Sequence, residues 1–158
     1  MKTSWMLAIF AAAAIAITCS RAAQNPATTT ADDMTAVARM VSSFDTFAAD
    51  ADIESFLAYL ADDAVMMPPG EPAAVGKNAI REWYTVFYEN FKNDMTHESL
   101  EVDAFGDIII ARGNATGVLT PKAGGEAIPF NNKYLFVIKR KDDGSLQVWR
   151  AAFNENAR

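Results

Sequence analysis

Apolar side chains fall into two rhythms along this chain. Met34, Val37, Val41, Phe44 and Ala48 recur every three or four positions, which predicts an amphipathic helix. Thr30, Asp32 and Asp33 stand at its start and supply side-chain acceptors and negative charge. Ile53, Phe56, Leu57 and Leu60 form a second, shorter stripe, with Asp52 placed to cap it. The strongest stripe is the third: Ile80, Trp83, Tyr84, Phe87, Tyr88 and Phe91, on a helix predicted from about Gly76 to Phe91. Between the second and third stripes, Ala64 to Met67 predicts a short strand. Pro68-Pro69-Gly70-Glu71-Pro72 predicts a loop, because proline has no amide hydrogen to donate.

From about residue 100 the period shortens to two. Leu100, Val102 and Ala104 alternate with polar residues, and Gly106-Asp107 turns the chain into Ile108-Ile109-Ile110. Pro121 to Gly125 predicts another turn, and Tyr134 to Ile138 is β-branched and aromatic. Asp142-Asp143-Gly144 is a hairpin signal, after which Leu146 to Phe153 pairs back. Helices followed by a meander of strands predict an α+β fold: three N-terminal helices packed on a curved antiparallel β-sheet. The sheet is expected to be apolar on its helix side. That arrangement makes a cone with a pocket at its open end, and the aromatics of the third helix suit its wall. No internal repeat is present.

The first residues change the domain boundaries. Lys2 precedes an unbroken apolar run from Trp5 to Ile17, followed by small and polar residues from Thr18 to Ala23. This layout predicts a secretory signal peptide over residues 1–22, since a membrane-spanning helix needs about 18 or more apolar residues. Residues 23–31 then read as a linker and residues 32–158 as the folded domain. Two processing routes fit. Ser20 and Ala22 form a small-x-small site for cleavage after Ala22. Alternatively, Cys19, the only cysteine, resembles the lipidated residue of a bacterial lipoprotein box, although Ala16-Ile17-Thr18-Cys19 departs from the usual pattern. Membrane attachment is expected only through that lipid. On either route the domain has no thiol, and so no disulfide, cysteine nucleophile or cysteine-ligated metal. Cleavage after Ala22 removes Lys2 and Arg21 and leaves 12 basic against 20 acidic residues, a net charge of −8. Such a domain repels phosphate backbones, so nucleic acid is not an expected partner.

Several segments carry a family resemblance. Asp52-Ile53-Glu54-Ser55-Phe56-Leu57-Ala58-Tyr59-Leu60-Ala61-Asp62-Asp63-Ala64-Val65 resembles the second-helix region of SnoaL-like proteins. Gly76-Lys77-Asn78-Ala79-Ile80-Arg81-Glu82-Trp83-Tyr84 resembles the start of their third helix. Phe105-Gly106-Asp107, Lys133-Tyr134, Lys139-Arg140-Lys141-Asp142-Asp143-Gly144 and Asn154-Glu155-Asn156 complete the pattern in order. The superfamily is also described as ketosteroid-isomerase-like, nuclear transport factor 2-like or cystatin-like. Its members include isomerases, cyclases, dehydratases and non-catalytic modules, so fold alone does not fix function. The isomerases use a carboxylate base and a two-donor oxyanion hole, a worked case of pKa tuning. The resemblance places that base at Met67 or Pro68, the oxyanion tyrosine at Phe44, and the protonated acid near Asn132 or Lys133. None of these can fill its role, so steroid isomerisation of the usual kind is not expected.

The remaining chemistry reads two ways at each position. By resemblance Tyr84 matches a pocket tyrosine of the isomerases, and Tyr88 lies one helical turn further on; both hydroxyls either bind a ligand or rim an aromatic core. His97, the only histidine, is either a titrating site residue or a structural one. Glu98 is expected on the opposite strand face, so no metal site is predicted. Asp62-Asp63 reads as part of a helix-to-strand turn rather than a catalytic pair. Arg112, Asn114 and Thr116 share one face of a strand, Lys133, Leu135 and Val137 one face of another, and Trp149 and Ala151 one face of the last. If those faces line the cone, Asn114, Lys133 and Trp149 join Phe44, Met67, Tyr84, Tyr88 and His97 as ligand-binding candidates. Met66 and Met67 suit an adaptable apolar wall, and Lys139-Arg140-Lys141 reads as a solvated basic run. The expected function is an exported domain that binds a small apolar or aromatic molecule and needs no cofactor. A homodimer is expected from the family's habit of pairing through the exposed sheet face. The alternatives are a non-catalytic dimerisation module, or a lyase, isomerase or hydrolase with another residue set.

Overall fold

In the computed structural model, which describes residues 28–156, the first stripe forms α1 (Ala31–Asp50). The expected signal peptide, Cys19 and most of the linker lie outside the described residues. Thr30 caps α1 reciprocally with Asp33. The Asp33 amide donates to the Thr30 hydroxyl at 3.1 Å, and the Thr30 amide donates to Asp33 Oδ2 at 2.9 Å. Arg140 also pairs with Asp33, so the middle of the basic run is tied to the start of α1 rather than solvated. Met34 is an exception to its stripe: it is exposed, and Met40 is buried in the core.

Asp52 caps α2 (Ile53–Ala58), accepting the Ser55 amide at 3.0 Å. Then come β1 (Leu60–Met67), β2 (Ala74–Val75) and α3 (Gly76–Asn90). β1 is longer than predicted and contains Asp62-Asp63, which were expected in a turn. The two carboxylates diverge: Asp62 pairs with Lys77 at 3.0 Å, while Asp63 accepts the Trp149 indole N–H at 2.8 Å. β3 (Phe91–Phe105) follows α3 directly and begins well before the alternation at Leu100. β4 (Ile108–Pro121), β5 (Ile128–Arg140) and β6 (Leu146–Glu155) complete the meander.

The sheet order is β2-β1-β6-β5-β4-β3. All neighbours are antiparallel except β1 and β6, which pair in parallel, so the sheet is mixed. After β1 the chain crosses through α3 to the far edge and meanders back, which brings β6 alongside β1. The three helices pack on this open sheet in an α+β cone. Val37, Phe44, Ile80, Ile109, Ile138 and Val148 are among the side chains buried between the layers.

Two register shifts decide which side chains face inward. The β3–β4 ladder shifts between Ser99 and Glu101. Asn93, Met95 and His97 therefore face inward on one side of the shift, and Val102 and Ala104 on the other. Leu100 lies at the shift and is half exposed, contrary to the alternation read from Leu100 to Ala104. The β5–β6 ladder shifts between Val137 and Ile138, with Val148 opposite Ile138 and Ala151 opposite Phe136. A bulge of this kind adds a residue to one strand and reverses the side-chain parity beyond it.

Candidate cavity and its Asp45–His97 pair

A cavity of about 430 Å³ lies between the helices and the concave sheet face. This is within the size range of small-molecule sites. Its walls are largely aromatic. Phe44 and Phe47 come from α1, Phe56 from α2, Trp83, Tyr84, Phe87 and Tyr88 from α3, and Tyr134 and Phe136 from β5. The rings interlock edge to face: Phe44 meets Phe56 at 5.1 Å and Phe136 at 6.1 Å between centroids, and Phe56 meets Tyr84 at 4.9 Å. Such contacts hold a wall in shape without filling the space it encloses.

His97 lines the wall, and Asp45 of α1 holds it from behind. The Asp45 carboxylate receives the His97 backbone N–H at 3.1 and 3.2 Å through its two oxygens. Asp45 Oδ1 also lies 2.6 Å from His97 Nδ1. The His97 side chain is only 7% exposed, and the residue lines the cavity. In the neutral ring that donates Nδ1–H to Asp45, Nε2 keeps its lone pair. Nε2 makes no protein hydrogen bond among the described residues, so it is the ring nitrogen left for an occupant. Phe44 and Tyr134 pack edge-on to the imidazole at 6.4 and 5.3 Å. Ring orientation is thus set by packing as well as by the carboxylate.

Other polar atoms are spread around the wall. Burial pushes the Tyr84 hydroxyl far above the ordinary phenol value. It pushes Tyr88 up to about 12, against a smaller opposing effect of the Asn93 side chain. Both therefore remain neutral hydroxyls that can donate. Part of the Tyr84 surface is open even though protein encloses the residue, as expected for a side chain facing a cavity. Tyr134 is also raised by burial, and its hydroxyl lies 3.1 Å from Ser99 Oγ. Asn93 and Asn132 line the cavity, and the Oδ1 of each is buried without a hydrogen-bond donor.

The SnoaL-like domain pattern matches residues 37–149. The chain belongs to the SnoaL-like family. Among solved structures, a ketosteroid isomerase-like protein from Erwinia carotovora atroseptica SCRI1043 is 30% identical at a TM-score of 0.74. The match covers 82% of this chain and 100% of that one. A candidate scytalone dehydratase from Novosphingobium aromaticivorans DSM 12444 is 15% identical at a TM-score of 0.71, covering 80% and 85% of the two chains. A Catenulispora acidiphila protein in complex with S-DNPA is 19% identical at a TM-score of 0.69, covering 80% and 95%. The last two likenesses carry the fold alone. No curated protein matches the chain.

This SnoaL-like cavity collects some of the residues picked from the sequence and leaves out others. Phe44, Tyr84, Tyr88 and His97 line it. Met67, Asn114, Lys133 and Trp149 do not, and their expected place in the wall is corrected. Met67 is 40% exposed, and its neighbour Met66 faces the cavity. Asn114 pairs across the sheet with Lys133 and with Glu98, on the face away from the helices. Arg112 lies on that outer face as well, in an ion pair with Glu101. The inward residues are one position along: Ala115 and Asn132. Trp149 is displaced by the β5–β6 shift and is flanked by Lys139 at 3.9 Å and Arg150 at 4.0 Å. Ala151, expected on the same face as Trp149, faces the cavity.

The residue that sequence reasoning missed is Asp45. A signal was present: Asp45 lies four residues after Val41 and next to Phe44, inside the apolar stripe of α1. A carboxylate on a buried helix face requires a partner. The sequence does not show that the partner is His97.

Proposed function

We propose that this protein binds a small ring compound in the cavity and that His97, positioned by Asp45, acts on it as a general base. The observation that carries this reading is the double engagement of Asp45 with the His97 backbone amide and Nδ1, which leaves Nε2 for the occupant. A proton removed from a carbon next to a carbonyl would pass to Nε2. The resulting imidazolium would lie against the Asp45 carboxylate, and the electron pair would move to the carbonyl oxygen. Tyr84 and Tyr88, kept protonated by burial, are the wall hydroxyls able to donate to that oxygen. Isomerisation and elimination both begin with this step. Phe44 places an aromatic ring without a hydroxyl in the wall, which favours this residue set over the isomerase one.

The test is hydrogen–deuterium exchange at the α-carbon of 1-tetralone in D₂O, followed by NMR. The protein should accelerate exchange. His97→Gln should remove at least about a hundredfold of the acceleration, and Asp45→Asn a smaller part. An unchanged rate in His97→Gln would assign the proton transfer elsewhere.

Export is the second part of the reading. It is supported by the N-terminal run from Trp5 to Ile17, with Lys2 before it and Cys19 after it. Cell fractionation together with the mass of the mature N-terminus distinguishes cleavage after Ala22 from lipidation of Cys19. A cytoplasmic, unprocessed chain would refute both. Homodimerisation is a further proposal, supported by exposed Val118 and Leu135 on the outer sheet face. A monomeric mass by sedimentation would refute it.

A further inference from the structure

We infer that the turn from Pro69 to Ala73 is a hinged strap at the mouth of the cavity, latched to α3 by the hydrogen bond between Trp83 and Glu71. This inference rests on the ligand-binding reading above and adds control of access to that site. Two observations carry it: how the strap is built, and what it is fastened to.

The strap joins β1 to β2 and is fixed at both ends. Pro68 and Ala74 are buried, and Ala74 pairs with Met66 across the ladder. The residues between them, Pro69 to Ala73, are all exposed. Pro69 and Pro72 have no amide hydrogen, so neither can be tied down by donating to a neighbouring strand. Their rings also fix φ, so the strap moves as a stiff piece. Gly70 turns it at φ 73°, and a Cβ there would meet nothing within 4 Å, so space is open around the tip. Pro69 and Glu71 nevertheless line the cavity. Residues that are exposed and also line a cavity mark its rim. Ile128 and Pro129, at the start of β5, mark another part of the same rim.

The latch is one bond. Trp83 donates its indole N–H to Glu71 Oε2 at 2.7 Å. The indole itself is held in the wall. It stacks on Phe87 at 5.2 Å with 11° between the planes, and it meets Tyr84 edge to face at 4.9 Å. Trp83 is therefore the fixed half of the latch and Glu71 the movable half. A single exposed hydrogen bond biases an equilibrium by only about five- to tenfold. The strap can thus open and reclose without unfolding the domain. Opening widens the rim beside Trp83, and closing brings Pro69 and Glu71 back to the cavity mouth.

The test follows 1-tetralone binding by stopped-flow quenching of tryptophan fluorescence in the parent, Glu71→Ala and Glu71→Gln. A gate changes the rates in both directions. Glu71→Ala should raise the association and dissociation rate constants together, each about fivefold, and leave Kd within about twofold. Glu71→Gln keeps an uncharged acceptor and should fall between the parent and Glu71→Ala. Glu71 is exposed, so neither substitution removes a core contact. A Kd that changes through dissociation alone would make Glu71 a ligand contact. Unchanged rates in Glu71→Ala would mean that the bond does not control entry. Either result overturns the inference and leaves the ligand-binding reading intact. Relaxation dispersion without ligand is the second measurement. The amides of Gly70, Glu71 and Ala73 and the Trp83 indole N–H should share one exchange process, altered in Glu71→Ala. The Trp149 indole N–H, held by Asp63 at 2.8 Å, should take no part in it. Absence of a shared process overturns the inference even if 1-tetralone binds. If 1-tetralone does not bind, the ligand-binding reading fails, and the dispersion measurement alone decides whether the strap opens.

Discussion

Asp45 reaches His97 across 52 positions of chain, and the contact constrains both residues. Asp45→Ala would leave the His97 amide and Nδ1–H without their acceptor in a site that water reaches poorly. The expected loss of stability is about 2–3 kcal/mol, measured by urea denaturation. His97→Gln should be milder, since it leaves the backbone amide bond to Asp45 in place. A second residue-scale constraint is Gly113, which faces Tyr134 across the β4–β5 ladder. A Cβ there would sit 1.9 Å from the Glu98 carbonyl oxygen and 2.6 Å from the Tyr134 hydroxyl. Gly113→Ala is therefore expected to cost about 3 kcal/mol or more and to displace the ring beside His97. Near-native stability in that variant would show that the wall yields more easily than its packing implies. Asp45 was legible in the sequence as a polar intrusion in an apolar stripe. Gly113 was not, because the neighbours that require it, the Glu98 carbonyl and the Tyr134 ring, lie 15 and 21 residues away in the sequence on the two flanking strands.

The start of α1 gives a prediction for an element. Its cap joins Thr30, Asp33 and Arg140, so one cluster anchors both the helix and the end of β5. Thr30→Ala should cost about 1 kcal/mol in denaturant unfolding. The Thr30 amide and hydroxyl hold the Asp33 carboxyl below its ordinary range, and Arg140 adds to the effect. A carboxylate depressed in the folded state stabilises the fold above the ordinary carboxylate range, and that contribution is lost as pH falls through its folded value. Asp33→Asn should therefore lose stability at neutral pH, and its deficit should be smaller at an acidic pH below the ordinary carboxylate range. An equal deficit at both pH values would mean that shape rather than charge sets the contribution of the cap. The helices were largely legible because caps and stripes are local: α2 starts after Asp52, and α3 carries its aromatic stripe as expected. The inward faces of the strands were less legible. A two-residue period shows that faces alternate but not which one is buried. In β4 and β5 the buried choice was the one free of arginine and lysine, Ala111 and Gly113 against Arg112, and Tyr134 and Phe136 against Lys133. In β3 and β6 the register shifts broke the alternation itself.

At the scale of the whole molecule, the cavity exists because a sheet of long strands curves around helices that leave its open end unfilled. If a ring compound binds there, stability becomes linked to its concentration. At a free concentration one hundred times Kd the protein should gain about 2.7 kcal/mol. For a domain of this size that is a rise in Tm of several degrees. A Tm independent of concentration across that range would argue that the compound binds elsewhere or not at all. By itself the sequence determined the helices, most of their caps, the α+β class and the family resemblance, because these depend on residues a few positions apart. It also set the aromatic character of the wall through the α3 stripe. Tertiary structure alone decided that β1 runs parallel to β6, that Asn132 rather than Lys133 faces inward, and that Asp45 meets His97. Each of these depends on pairing between distant strands, where a shift of one residue exchanges the buried face for the exposed one.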